Sequence, residues 1–196
     1  MAHHGGRYPA IKRVLFIYDR RHTHTQAGPW DLIIAHPPCT YISAAGACRM
    51  YPRAGEISAE RFSKAMEAKA FFMRIFGADC EKICIENPRP LKCVMLPEES
   101  QRIQPYQFGE PWSKLTYLWL KGLPPLEPTS VLACYNPYVS CGTSRNKGNP
   151  DKAGASRRGG AQKVRSKTFP GIAQAMAEQW GAEQGFMQLS LFGGIE

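Results

Sequence analysis

No apolar stretch of this chain approaches the roughly 20 residues that a membrane-crossing helix needs. No apolar segment follows the opening Met1-Ala2-His3-His4-Gly5-Gly6 to form a secretory leader. With neither feature, the seven cysteines read as thiols of a reducing cytoplasm rather than as a disulfide framework. A zinc site is disfavoured too. Cys80 and Cys84 have three residues between them, inside the usual range for a structural site. However, Cys84 lies between Ile83 and Ile85, where a small buried side chain is expected. A zinc deaminase would pair His-x-Glu with Pro-Cys-x-x-Cys, and Pro38-Cys39 has no second cysteine at that spacing. No metal is expected. Internal repeats are absent. Acids are almost absent from one region: between Arg145 and Lys167, Asp151 stands alone among Arg145, Lys147, Lys152, Arg157, Arg158, Lys163, Arg165 and Lys167.

What is present fits a domain of ordinary size. The length is 196 residues and the formal charge +9. That charge favours a polyanionic partner without bearing on the fold. Residues 142–168 are too polar and Gly-rich to bury a core of their own. They read either as a solvated flexible loop or as a loop that orders on phosphate backbones.

Ile11 to Tyr18 and the continuously apolar Asp31 to Ala35 read as strands. Ser58 is a candidate N-cap for a helix carrying Phe62, Ala65, Met66, Phe72, Met73 and Phe76 at helical spacing, with Gly77 ending it. Lys82 to Ile85 reads as the next strand. Strand, long helix and strand make a βαβ unit with parallel neighbours. Leu115 to Leu120 and Val131 to Cys134 read as further strands, and Gly171 to Gly181 as a last helix. The expected fold is α/β: a Rossmann-like, mostly parallel sheet flanked by helices, with one domain over 1–184 and a tail over 185–196.

Two strings carry the chemistry. His36-Pro37-Pro38-Cys39-Thr40-Tyr41-Ile42-Ser43 follows one apolar strand, and Glu86-Asn87-Pro88 follows another. In an open α/β sheet, ligands bind at the carboxyl ends of the strands. A thiolate adding to C6 of a pyrimidine makes C5 a carbon nucleophile. That step needs a cysteine on a turn and a carboxylic acid of raised pKa at N3. Cys39 and Glu86 suit those roles, and Pro37-Pro38 stiffens the approach of the thiol. A base in a duplex must first leave the stack. His36 either orients a phosphate, depresses the Cys39 pKa or caps its turn.

With these residues the chain resembles the DNA cytosine-C5 methyltransferases, whose nucleophile lies in a Pro-Cys turn and whose acid lies in Glu-Asn-Val. Pro88 stands here in the valine position. It is most similar to the small phage-borne proteins of that type. These share the His-Pro-Pro-Cys-Thr-Tyr run, Glu-Asn-Pro, and stretches like Gln104-Pro105-Tyr106-Gln107-Phe108-Gly109, Leu118-Trp119-Leu120-Lys121-Gly122-Leu123-Pro124 and Gly171-Ile172-Ala173-Gln174-Ala175-Met176-Ala177. The resemblance spans about Trp30 to Gly181. It implies S-adenosylmethionine as methyl donor, with Pro37, Pro38 and Asn87 beside it, and Lys114 as the cation at the pyrimidine O2. It also implies a bacterial or phage-infected host cytoplasm.

Two departures follow. Only 38 residues precede Cys39, while one βαβ crossover takes about 30. The Gly-rich cofactor-binding half is therefore expected to be missing, and the fold to be an N-terminally shortened one. The family's target-recognition domain also has no counterpart, which leaves Arg145, Lys147, Arg157, Arg158, Lys163 and Arg165 as the DNA-binding candidates. Amino-methyltransferases use Asp/Asn-Pro-Pro-Tyr, which His36-Pro37-Pro38-Cys39 does not match.

The tail segment Gln188-Leu189-Ser190-Leu191-Phe192 resembles the peptide that docks on the bacterial sliding clamp. Leu189, Leu191 and Phe192 would enter an apolar groove, with Gln188 setting the register. The competing view is an amphipathic end folded onto the core. The expected function is a DNA cytosine-C5 methyltransferase-like enzyme. The alternatives are a non-catalytic DNA- or clamp-associated protein and a thiol enzyme acting on free pyrimidine nucleotides.

Overall fold

The computed structural model describes residues 13–17, 30–138 and 169–181. The elements are β1 (Val14–Ile17), β2 (Leu32–Ala35), α1 (Ala47–Met50), α2 (Ala59–Phe76), β3 (Ile83–Pro88), β4 (Gln101–Ile103), β5 (Trp112–Ser113), β6 (Thr116–Lys121), β7 (Asn136–Pro137) and α3 (Pro170–Gly181). Five of the strands form one sheet in the order β1-β2-β3-β6-β4. β1, β2 and β3 are parallel, and β6 runs antiparallel to both of its neighbours. β4 therefore points the same way as β1, β2 and β3, and β6 alone is reversed. The protein is mixed α/β with helices against its sheet.

Alternation along the strands divides the core in two. Ile33 and Ala35, Ile83 and Ile85, and Tyr117 and Trp119 face α2, where Phe71, Phe72 and Ile75 cover them. Leu32 and Ile34, Cys84 and Leu118 face α3, whose Ile172, Ala175, Met176 and Trp180 pack there with Phe169. The strands buried on both faces are the continuously apolar ones, as parallel strands covered on both sides must be. Phe72 meets Trp119 edge-on with ring centroids 5.1 Å apart. Two indoles find polar partners at the rim: Trp119 Nε1 donates to the Pro97 carbonyl at 2.8 Å and Trp180 Nε1 to that of Pro124 at 3.1 Å.

The helix over 59–76 starts as expected. Ser58 is extended, and its Oγ accepts from the Arg61 amide at 3.4 Å. Gly77 closes it at φ −90, so the position makes no use of glycine's left-handed region. Gly122 does: its φ is +61, and a Cβ there would lie 2.2 Å from the Glu81 carbonyl.

Three expectations need correction. The strand after α2 does not end at Ile85. It runs on through Glu86, Asn87 and Pro88, which pair with Leu118, Tyr117 and Thr116 of β6. Gln101–Ile103 was not expected as a strand, because two of its three residues are polar. It lies at the sheet edge, where Gln101 bonds both the amide and the carbonyl of Leu126 at 2.8 Å. Val131 to Cys134 is no strand, and Val131 is 67% exposed. The short pairing in that region joins β7 to β5 instead. The sheet is mostly parallel, as expected, with reversed β6 between β3 and β4. The basic stretch 142–168 and the tail 185–196 lie outside the described residues.

Candidate functional site

The carboxyl ends of β2 and β3 and the start of β6 share one edge of the sheet. The register puts Ala35 opposite Ile85 and Pro88 opposite Thr116. His36 is therefore the first residue past β2, beside Glu86, and Lys114 lies two residues before β6. Parity along the strands puts His36 and Glu86 on the α3 side, in line with Ile34 and Cys84.

Two hydrogen bonds tie the turns together. His36 Nδ1 and Glu86 Oε2 are 2.9 Å apart, with side-chain exposures of 12% and 18%. Asn87 Nδ2 donates to the Pro37 carbonyl at 3.2 Å. Asn87 is 1% exposed, and its Oδ1 has no hydrogen-bond partner among the described residues. The backbone holds the far side of the turn. The Ala44 amide donates to the Arg89 carbonyl at 2.8 Å and the Leu91 amide to that of Ile42 at 2.7 Å.

Between these braces, Cys39 forms a tight turn. Its carbonyl accepts from the amides of Ile42 at 3.2 Å and Ser43 at 2.9 Å. Arg61 of α2 donates from Nη2 to the Thr40 carbonyl at 2.7 Å, with its guanidinium 5.0 Å from the Tyr41 ring centroid. The Cys39 side chain is half-buried against Ile42, Met50, Ala65, Ala68, Leu91 and Val94. This places it on the side of α1 and α2.

Burial pushes the Glu86 carboxyl up. The hydrogen bond from His36, the His36 charge and the Lys114 charge outweigh it, and the group is held below the usual carboxylate range. This corrects the expectation of an acid with a raised pKa: on its own, Glu86 is a carboxylate at neutral pH. Lys114 Nζ lies 5.6 Å from the Phe169 ring centroid, so that cation faces both the acid and an aromatic surface at the start of α3. Cys84 contrasts with Cys39. It is fully buried, and burial together with the Glu86 charge drives its thiol far above the ordinary value.

Of the expected site residues, the structure brings Glu86 and Lys114 into one electrostatic cluster and joins the Cys39 turn to it through His36, Pro37 and Asn87. Of the residues expected beside a nucleoside cofactor, two are committed to each other. The Pro37 carbonyl and the Asn87 amide are engaged with each other, and Asn87 is sealed, leaving the half-buried Pro38. Gln188, Leu189, Leu191 and Phe192, and the basic residues from Arg145 to Arg165, lie outside the described residues. Sequence reasoning left the role of His36 open among three. Its position one residue past a buried strand, level with Glu86 past the expected end of the next, was the signal for the bond to Glu86. Among the described residues, no group of three or more His, Cys, Asp or Glu side chains could hold a metal ion, and no helix is long and apolar enough to cross a membrane. No protein-family model matches the chain, and no curated protein matches it.

Proposed function

We propose that this edge binds a pyrimidine base displaced from DNA, that the Cys39 thiolate adds to C6, and that Glu86 faces N3, as in the DNA cytosine-C5 methyltransferases. The observation carrying this reading is the pair of side-chain bonds, His36 to Glu86 and Asn87 to Pro37, each joining residues 50 apart in the chain. They bring the two chemistry-bearing turns together at the sheet end where ligands bind.

Cys39 lies on the α1 and α2 side and Glu86 in line with the α3 face of one edge, so the reading requires a base lodged across that edge, with sulfur adding to C6 perpendicular to the ring and the carboxyl meeting N3 in its plane. Lys114 supplies the positive charge for the oxygen at C2. S-adenosylmethionine as methyl donor rests on the resemblance alone, and no step here is routed through it. DNA as substrate rests on the basic run from Arg145 to Lys167. Clamp docking rests on the segment from Gln188 to Phe192, and deletion of residues 188–192 should abolish clamp binding while leaving DNA binding intact.

The decisive experiment needs no methyl donor. Addition at C6 lets C5 take a proton from water, so DNA tritiated at cytosine C5 should release its label. Release from single-stranded or duplex DNA that disappears in Cys39→Ala supports the reading. DNA binding without release by the wild type overturns it in favour of a non-catalytic DNA-associated protein. Release from free deoxycytidine monophosphate but not from DNA overturns the assignment of substrate.

A further inference from the structure

A carboxyl held as an anion is a poor source of the proton that N3 must receive when sulfur adds to C6. The structure shows where that proton can come from. Glu86 has two oxygens, and Oε2 is 2.9 Å from His36 Nδ1, which leaves Oε1 for a base. His36 is buried on the Glu86 side yet retains 12% side-chain exposure, so its ring can exchange protons with solvent. Its backbone is fixed by its own amide, which donates to the Ile17 carbonyl at 2.7 Å, and by the stiff Pro37-Pro38 that follows.

We propose that His36 is the proton source of this site: its Nδ1 proton passes to Glu86 Oε2, and the carboxylic acid so formed, turning about its Cγ–Cδ bond, gives that same proton to N3 of the bound pyrimidine. The inference deepens the function proposed above and rests on it. The step balances. The Cys39 thiolate forms the S–C6 bond, the C5=C6 pair shifts to C4=C5, and the N3=C4 pair takes the proton at N3. Imidazolium and thiolate become neutral imidazole and thioether, and Glu86 ends the step as it began, a carboxylate.

The charged and titratable groups around Glu86 are His36 beyond β2, Lys114 ahead of β6 and the Cys84 thiol on β3. The Cys84 thiol stays protonated, because burial drives it up. His36 is the member of this set whose residue type titrates near neutral pH. Proton supply through an imidazole lets the site work at a pH where a carboxyl of lowered pKa would be empty.

The test is the pH profile of tritium release from C5-labelled DNA in the wild type and in His36→Asn. Asn keeps an amide donor near the Nδ1 position but carries no titratable proton. His36→Gln is the second variant should His36→Asn unfold. The high-pH limb of the profile should move toward acid by about one pH unit or more, the direction of the gap between imidazole and carboxyl. Release at pH 7.5 should fall at least tenfold while remaining dependent on Cys39. A purely structural His36 would lower the rate at every pH and leave the limb in place. A variant limb that coincides with the wild type's, in a wild type that does release label, overturns the inference and spares the proposed function. A wild type that releases none at any pH overturns both.

Discussion

At the scale of single residues, Asn87 shows how a brace differs from a ligand contact. Its amide spans from β3 to the Pro37 carbonyl, and truncation strands a buried acceptor. Asn87→Ala should cost about 1–3 kcal/mol, measured by urea unfolding, with a larger loss of tritium release than the stability change explains. The cysteines make a second residue-scale case. Burial raises the thiols of Cys80 and Cys84, whereas Cys48 and Cys134 are exposed. Iodoacetamide on the native protein should modify Cys48 and Cys134 ahead of Cys80, and reach Cys84 only on unfolding, as read by mass spectrometry. Prompt native labelling of Cys84 would contradict the buried-strand placement. The reactive residue types in their short strings were legible from sequence. The His36–Glu86 bond was not, because a hydrogen bond between residues 50 apart depends on strand register.

Among the elements, α2 covers one face of the sheet and the turn after β6 closes the end away from the site. Phe72 is fully buried between α2 and the sheet, and Phe72→Ala should cost about 3–5 kcal/mol. Gly122 needs both its positive φ and its missing Cβ. Gly122→Ala should destabilise by about 2 kcal/mol or more through left-handed strain and collision with the Glu81 backbone. A thermal shift within error of wild type would refute that reading of the turn. Gly171 begins α3 under similar crowding, since a Cβ there would lie 2.0 Å from the Phe108 carbonyl. Hydrophobic periodicity located α2 and α3 well, because one face of each is buried over many turns. It missed β4, a three-residue edge strand with one buried side chain, for which local pattern has too few residues to speak.

For the molecule as a whole, the charge at the edge couples function to acid stability. The folded state holds the Glu86 carboxyl below its ordinary range, so folding favours its ionised form. That contribution is present above the unfolded value, roughly pH 4.3, and is lost as pH falls through the lower folded value. Glu86→Gln should therefore be less stable than wild type at pH 7, and the gap should narrow toward pH 3 in urea midpoints. A gap that widens in acid would mean that burial, and not His36 and Lys114, dominates Glu86.

The sequence by itself determined the layers. Runs apolar on every residue must lie in a doubly covered sheet, and long 3.6-residue periodicity must lie over it. It also placed a cysteine and a glutamate just beyond two such runs. Only the tertiary structure decided that β3 continues through Pro88, that β6 enters reversed so that Lys114 reaches the same edge, and that His36 lies against Glu86. Burial is a property of each residue and its near neighbours, which a one-dimensional pattern records. Register and strand direction are relations between distant segments, settled by packing of the whole.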